Sequence, residues 1–371
     1  MLLLLLSVIG RADPVRAQGP CAAGERASDC PAVAVSALEG AAPAGAAALD
    51  RQVLDWLREH AVIGAAVAVV QGGDVALARG YGWSRPDSAF GMTAGHALRM
   101  GSITKTLTAA TVLALRDEGR LELDDTVGAY VEGLPEFATG LTLHQLLSHR
   151  SGLIRFSAAG HRAGRRLLFQ PDSSYSYSNI GFALLGDVVT AVDSSYPRAV
   201  RRLVLRPAGI DDIAPCGERP EAEATGWSWR GEELVSARPL ELQSGGAAGG
   251  WCASAPDLAR WLDRLVTGRV LRPQSLRAML TPRSSADNGW GYGYGISMAC
   301  HDGWRVYDHS GVVEGFSGQA AAYPEAGLVV VVLTNTMFAD APALERLVAD
   351  HFLEGRSPPA TAADDVCAAG R

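Results

Sequence analysis

The chain has 371 residues, a formal charge of −7 and 48% apolar residues, which is typical of a globular protein with one large or two ordinary domains. Acidic and basic side chains are interspersed without a basic stripe. Nucleic acid is therefore not an expected partner.

The N-terminus has features of an export signal. An apolar run at 2–9 is too short to span a bilayer, and small residues precede a cleavage point after Ala17. We predict a signal peptide over residues 1–17 and a periplasmic or secreted protein without a stable membrane span. An uncleaved apolar N-terminus is the alternative. Residues 18–48 are rich in Ala, Gly and Pro, which predicts a poorly structured segment.

Six cysteines suit an oxidising compartment, where an even number commonly forms disulfides. Proximity along the chain favours only the pair Cys21–Cys30, and the other pairings stay open. Cys367 is placed to pin a C-terminal tail over 356–371. Because no C-x-x-C pair occurs, neither a zinc site nor thioredoxin-like chemistry is expected. No cofactor is predicted.

Hydrophobic periodicity predicts that the globular part begins with a helix and a hairpin. A helix over 49–60 has one apolar face, and strands over 65–70 and 75–80 flank a Gly-rich turn. Helices are next predicted over 102–116, 141–149 and 179–192, in a helical region between strands. A capping box at Ser254 predicts another helix over 255–266.

The C-terminal third of the chain predicts mostly strands. Alternation of Trp290, Tyr292 and Tyr294 with glycine predicts one strand over 290–298. Further strands are expected over 304–308, 315–323 and 328–333, followed by a helix over 341–352. The aliphatic run at 328–333 suits a strand covered on both faces. Strands at both ends predict an α+β fold over 49–355, an antiparallel β-sheet flanked by helices with an inserted mostly helical subdomain.

A serine and a lysine form the first candidate site. Of 33 basic residues only Lys105 is a lysine, and it follows Ser102 by three positions in the first turn of a predicted helix. Both side chains therefore lie on one face. A desolvated lysine can lose its proton near neutral pH, unlike arginine, and a neutral amine can activate a neighbouring hydroxyl. The helix N-terminus also favours a developing oxyanion.

Two further motifs supply groups that could act with this pair. Tyr177 and Asn179 open the helix predicted from 179, and a nearby ammonium would lower the pKa of the phenol and suit it to proton relay. The Asn179 amide can hold a lysine and a substrate carbonyl together. His309-Ser310-Gly311 ends a predicted strand, where glycine lets a substrate approach. Taken singly, each motif is explained as well by a structural role.

In this order and spacing, the three motifs resemble those of the serine β-lactamase and penicillin-binding protein superfamily. The similarity is to the class C β-lactamase-related branch, which includes esterases, D-amino-acid peptidases and D,D-carboxypeptidases. Supporting runs lie at 99–106, 146–153, 177–186 and 249–258. The resemblance implies the fold already predicted and an acyl-enzyme mechanism without a metal.

The resemblance also implies a role for each motif residue. Ser102 would be the acylated nucleophile, Lys105 and Tyr177 would share the proton transfer with the base undecided between them, and Asn179 would orient Lys105 and the substrate. The N–H groups of Ser102 and Val312 would form the oxyanion hole. Substrate contacts would come from Asn179, His309, Ser310, Gly311 and Val312.

One position departs from the family pattern. β-Lactamases usually have a lysine where this chain has His309, and that lysine helps bind penicillin carboxylates, whereas histidine is mostly neutral at pH 7. The change favours hydrolysis of small or peptide-like esters or amides over true β-lactam hydrolysis or D,D-carboxypeptidase activity. A non-catalytic penicillin-binding-like protein is another alternative.

An α/β-hydrolase is excluded by motif. The G-x-S-x-G frames at Ser84, Ser228 and Ser297 have the leading glycine but lack the trailing one. The sequence leaves the oligomeric state open.

Overall fold

The computed structural model describes residues 35–39, 45–85, 90–155, 166–231, 233–240, 242, 246–286, 290–359 and 367. The predicted signal peptide and the predicted Cys21–Cys30 pairing lie outside these residues.

The described residues form strands and helices that we number in chain order. The strands are β1 (Val35–Glu39), β2 (Gly64–Gln71), β3 (Asp74–Arg85), β4 (Phe90–Gly91), β5 (Leu98–Arg99), β6 (Ala214–Pro215), β7 (Trp227–Arg230), β8 (Glu233–Ser236), β9 (Trp251–Ala253), β10 (Ser284–Ala286), β11 (Trp290–Tyr292), β12 (Ser297–His301), β13 (Trp304–Val313), β14 (Phe316–Tyr323) and β15 (Leu328–Thr334). The α-helices are α1 (Ala46–Glu59), α2 (Thr104–Asp117), α3 (Glu136–Thr139), α4 (Leu143–Leu147), α5 (Asn179–Asp193), α6 (Tyr196–Val200), α7 (Ala255–Val266), α8 (Pro273–Met279) and α9 (Ala341–Leu353).

One large sheet joins the two ends of the chain. Its order is β1-β3-β2-β15-β14-β13-β12-β11-β10, and neighbouring strands are antiparallel. The junction is the pairing of β2 with β15, in which Val67 lies opposite Val332. The predicted α+β class, with both terminal strand groups in one antiparallel sheet, is confirmed.

Helices cover both faces of this sheet. Along β15, Val331 and Leu333 pack into a core shared with α2, α5 and α7, and the alternate residues Val330 and Val332 pack against α1 and α9. Successive side chains of a strand point to opposite faces, so an uninterrupted aliphatic run serves both cores. Each such buried side chain contributes roughly 1.5–3 kcal/mol. The prediction of a strand covered on both faces is confirmed.

The single strand predicted over 290–298 is wrong. The chain forms β11, turns, and returns as β12, and the Gly293 N–H donates to the Ile296 carbonyl at 2.9 Å across the turn. The alternating aromatic–glycine pattern continues through the turn, which is why periodicity did not detect it. Tyr294 consequently leaves the aromatic row, and its hydroxyl lies 2.7 Å from His144 Nδ1.

Other departures lie near the ends of the chain. Strand β1 falls within the segment 18–48, for which no regular element was predicted. Disulfides join Cys216 to Cys252 and Cys300 to Cys367, so Cys367 does tie the tail to β12. Among the described residues, no helix has the length and apolar character needed to cross a bilayer.

Candidate active site

Ser102 lies where the start of the helical region meets the edge of the sheet. It occupies a 3-10 turn, Gly101–Ile103, that leads directly into α2. Gly311 on β13 packs so closely on this turn that a Cβ there would lie 2.1 Å from the Met100 carbonyl oxygen. Gly101 has a φ of +51°, and a Cβ on it would lie 3.0 Å from the Val312 nitrogen. Glycine at both positions therefore brings the first and third motifs together.

The Lys105 amine lies at the centre of the site. Its Nζ is 3.0 Å from Ser102 Oγ and donates at 2.6 Å to both Asn179 Oδ1 and the Ala248 carbonyl oxygen. A neutral amine has two N–H donors and one lone pair. Because the two carbonyl oxygens can only accept, they take both donors and leave the lone pair for the Ser102 hydroxyl.

The surroundings favour the neutral form of this amine. Lys105 has no exposed surface, and burial lowers its pKa well below the usual value, with a smaller contribution from the Arg155 guanidinium. Its polar contacts in the described chain are an amide, a carbonyl and a hydroxyl, none of which carries a negative charge. The arrangement can therefore provide a proton acceptor beside a serine hydroxyl.

Tyr177 lies beside the amine, as predicted, but its protonation differs from the prediction. Lys105 Nζ is 4.8 Å from the centre of the Tyr177 ring. Burial raises the pKa of Tyr177, and effects of the Ser102 hydroxyl and Arg155 offset only part of the rise. The phenol oxygen is buried without a partner of good hydrogen-bond geometry among the described residues, so Ser102 is a neighbour and not a completed bond. The expected lowering of the Tyr177 pKa by an ammonium is wrong because burial of the phenol itself outweighs its neighbours.

The third motif, His309-Ser310-Gly311, lies on β13 and forms the other side of the site around Ser102. In the described chain β12 pairs with β13 only up to Asp308, so the edge of β13 beyond it faces the Ser102 turn. Ser310 and Val312 are exposed, with Val312 48% accessible. The His309 ring is buried, with Nδ1 2.7 Å from the Ser310 carbonyl oxygen and Nε2 3.1 Å from the Tyr292 hydroxyl. Burial lowers the pKa of His309 to about 3, so this position presents no cation at neutral pH.

The sequence profile of the Beta-lactamase family matches residues 41–352. The chain belongs to the β-lactamase family. The expected resemblance to serine β-lactamases and penicillin-binding proteins is confirmed, and members of this family are serine hydrolases.

Three relatives show the range within this β-lactamase family. A D-aminopeptidase from Gluconobacter oxydans is 29% identical over 77% of this chain and 58% of its own length, so the chain spans little more than half of that protein. Penicillin-binding protein 4 from Amycolatopsis lactamdurans is 29% identical over 76% of this chain and 83% of that protein. The structure of a D-stereospecific amidohydrolase from Streptomyces sp. aligns with a TM-score of 0.71 at 25% identity, covering 84% of this chain and 99% of the other.

Several groups in this β-lactamase-family site were not predicted. The Ala248 carbonyl holds Lys105, and it immediately precedes the supporting run 249–258, which was given no chemistry. Within the run 146–153, His149 is fully buried and its ring centre is 4.3 Å from that of Tyr177. Arg155 follows the same run and holds its guanidinium carbon 5.0 Å from the centre of the Tyr177 ring. A backbone carbonyl has no sequence signal. His149 lies inside a run that carried the resemblance, so that run could have led to it, whereas Arg155 lies just beyond the run.

Proposed function

We propose that this protein hydrolyses small or peptide-like esters or amides through an acyl-enzyme on Ser102. One observation carries the proposal: the only lysine of the chain is fully buried, and both N–H donors of its neutral amine are taken by Asn179 Oδ1 and the Ala248 carbonyl. The remaining lone pair faces Ser102 Oγ at 3.0 Å. A neutral amine in that position is a general base for a serine nucleophile.

In acylation the acyl carbon exchanges its bond to the leaving group for a bond to Ser102, and one proton moves from Ser102 to the leaving group through Lys105. Ser102 Oγ attacks the acyl carbon as its proton passes to Lys105 Nζ, and the carbonyl oxygen becomes an oxyanion. The N–H groups of Ser102 and Val312 stabilise that oxyanion, and each such donor contributes roughly 10²–10³ in rate. The bond to the leaving group then breaks, and the leaving group receives a proton from Lys105 by way of the protonated Tyr177 phenol.

Deacylation repeats these steps with water as the nucleophile and Ser102 as the leaving group. A water molecule loses a proton to the neutral Lys105 amine and attacks the acyl carbon of the ester on Ser102. The acid product leaves as Ser102 Oγ recovers the proton, so the enzyme returns to its starting state. In this scheme Lys105 is the base in both steps, and Tyr177, whose pKa is raised by burial, relays protons without becoming a stable phenolate.

The neutral His309 position supports esters and amides over β-lactams as substrates. A penicillin carboxylate would find no fixed cation at His309, because burial lowers the pKa of this residue to about 3. The relatives named D-aminopeptidase and D-stereospecific amidohydrolase support amides of D-amino acids as a substrate class to test first. True β-lactam hydrolysis is the second candidate.

A substrate panel with active-site labelling tests the proposal. The purified protein is treated with a fluorophosphonate, and the modified residue is located by mass spectrometry. Turnover of p-nitrophenyl esters, D-amino-acid amides, D-Ala-D-Ala peptides and nitrocefin is then measured. We expect one label on Ser102 and turnover of esters or D-amino-acid amides. The Ser102→Ala variant should lose both, whereas Ser173→Ala, at an exposed serine, should keep both.

Three outcomes would contradict this reading. Rapid nitrocefin turnover without esterase or amidase activity would make β-lactam hydrolysis the first candidate function in place of ester or amide hydrolysis. Stoichiometric labelling of Ser102 by a penicillin without turnover of anything would indicate a binding protein. Turnover that survives Ser102→Ala would remove Ser102 from the mechanism.

We also propose that the protein is exported. The disulfides Cys216–Cys252 and Cys300–Cys367 are of a kind that persists in oxidising compartments. Expression in a bacterial host with its native N-terminus should give a periplasmic or secreted product whose N-terminus is residue 18. Recovery of the full-length chain in the cytoplasm would contradict export.

A further inference from the structure

His149 forms hydrogen bonds with the backbone on both sides of Tyr177. Its carbonyl oxygen accepts from the Ser176 N–H at 2.9 Å, and its ring Nδ1 accepts from the Ser178 N–H at 3.1 Å. The ring also lies against Tyr177, with 4.3 Å between ring centres and a 40° tilt. One residue therefore holds the neighbours of Tyr177 in place and forms one wall for its ring.

Further aromatic rings pack against His149. Its ring centre lies 4.9 Å from that of Tyr292 and 5.0 Å from that of Phe182, and the residue has no exposed surface. Since Nδ1 accepts the Ser178 N–H, the ring proton is on Nε2 in the neutral tautomer. Nε2 has no hydrogen-bond partner among the described residues.

Two features of His149 are unfavourable to the free energy of folding. The backbone φ is +56°, a left-handed conformation that is uncommon for residues other than glycine, although Asn, Asp and His adopt it more often than most. A buried ring N–H without an acceptor adds a further cost. Strain of this kind persists where the surroundings over-determine it, and it is common at functional sites. Here the side-chain hydrogen bond and the ring contacts of His149 lead to the backbone next to Tyr177, to Tyr177 itself and to the aromatic rings around it.

We propose that His149 is a positioning residue that sets the place of the Tyr177 phenol relative to Ser102 and Lys105. The inference rests on the proposed function, because it needs Tyr177 to relay protons. Hydrogen bonds to both flanking peptide groups fix where the Tyr177 Cα lies, and contact with the tilted His149 ring restricts the rotation of the Tyr177 side chain. A displacement of about 1 Å at a reacting group can cost roughly 10²-fold in rate.

Two substitutions separate the ring from the hydrogen bond. His149→Phe keeps an aromatic wall but removes the acceptor for the Ser178 N–H, and His149→Asn keeps an acceptor at the position of Nδ1 and tolerates the positive φ. We expect His149→Phe to lower kcat roughly 10–100-fold with KM changed less than threefold. His149→Asn should recover most of that loss. His144→Asn is the matched control, since His144 contacts Tyr294 and not Tyr177, and it should stay near the parent rate.

A double-mutant cycle with Tyr177→Phe decides between positioning and general structural support. The rate of Ser102 acylation is measured in the parent, in each single variant and in the double variant. If His149 acts through the phenol, His149→Phe should cost less than about twofold once Tyr177→Phe has removed the hydroxyl. Should His149→Phe not fold, the cycle is run with His149→Asn, whose smaller loss must vanish in the same way.

The inference is overturned if the His149 loss is the same in both Tyr177 backgrounds, or if only KM and thermal stability change. It is also overturned if Tyr177→Phe alone leaves acylation unchanged. Failure of the proposed function gives a different pattern, because the parent protein itself would then show either no label on Ser102 or a label without turnover, before any variant is compared.

Discussion

Replacing Lys105 by arginine is the sharpest test of the base. Lys105→Arg keeps a long, basic side chain but cannot supply a lone pair, because a guanidinium stays protonated at all accessible pH values. In the structure the amine is fully buried and its two donors bind Asn179 and the Ala248 carbonyl at 2.6 Å. Arginine can satisfy those two acceptors and still leave Ser102 without a proton acceptor.

The expected loss of acylation rate follows from the proposed role of Lys105 as a general base. A positioned general base contributes roughly 10²–10⁴ in rate, which corresponds to about 3–5 kcal/mol in the activation barrier. A permanent buried charge would add a folding cost of several kcal/mol. Lys105→Met is the matched control, because it also removes the base but buries no charge. Both variants should lose the same factor in acylation, whereas only Lys105→Arg should be strongly destabilised by the charge.

The assay is the rate of p-nitrophenol release in the acylation phase, followed from acidic to alkaline pH. Burial lowers the pKa of Lys105, so the parent rate should fall on the acidic side as the amine gains a proton, at a pH far below the usual lysine range. Neither variant should show that fall. Acylation by Lys105→Arg within tenfold of the parent, or a parent rate that rises only near pH 10, would refute the reasoning.

Three other substitutions follow from the same structure. Asn179→Asp places a carboxylate at the 2.6 Å acceptor of Lys105, which favours the ammonium, so the acidic fall in acylation rate should move to higher pH. Gly311→Ala puts a Cβ 2.1 Å from the Met100 carbonyl oxygen, and we expect Ser102 labelling to slow at least roughly tenfold as the turn is displaced. Burial raises the pKa of Glu345 from 4.5 to about 8, so stability should be full below pH 4.5 and decline up to about pH 8, by roughly 3–5 kcal/mol. Urea unfolding of Glu345→Gln, which stays neutral, should lack this decline.

Each of these expectations has a clear contrary result. An unchanged pH profile in Asn179→Asp would mean that the amide does not set the charge of Lys105. Normal labelling of Gly311→Ala would mean that β13 is free to move away from the Ser102 turn. The same pH dependence of unfolding in the parent and in Glu345→Gln would assign it to other groups.

The sheet was largely predictable because its buried strands appear in the sequence as apolar runs. In β15 each valine faces one of two cores, and an aliphatic run of that length has few other uses in a soluble domain. The aromatic–glycine row at 290–298 misled the prediction since a strand and a strand–turn–strand share its alternation. The contact of Tyr294 with His144, 150 residues away in the chain, helps to distinguish them, and long-range contacts carry no local signal.

In the candidate site, too, local features could be predicted from the sequence, whereas features that depend on the fold could not. Ser102 and Lys105 were brought together by helical spacing alone, because residues three apart on a helix are neighbours. The Asn179 contact needed the resemblance to a known family, since α5 reaches α2 only through the fold. The protonation states needed the packed structure: nothing in the motif says that Tyr177 is desolvated or that the His309 ring is buried against Tyr292.

Burial explains why titratable rings can lie beside the Lys105 amine without carrying charge. The rings of Tyr177, His149 and His309 lie close enough to contact or affect Lys105. Burial shifts the pKa of each ring so that the neutral form is favoured. A positive His309 would repel a protonated Lys105, and both pKa values are lowered in part by neighbouring positive charge. A cationic lysine in place of His309 would therefore alter the charge of the base as well as the substrate contact. Substituting His309→Lys should thus change the pH profile of acylation together with any preference for carboxylate-bearing substrates, and a change in preference alone would show that the two groups are independent.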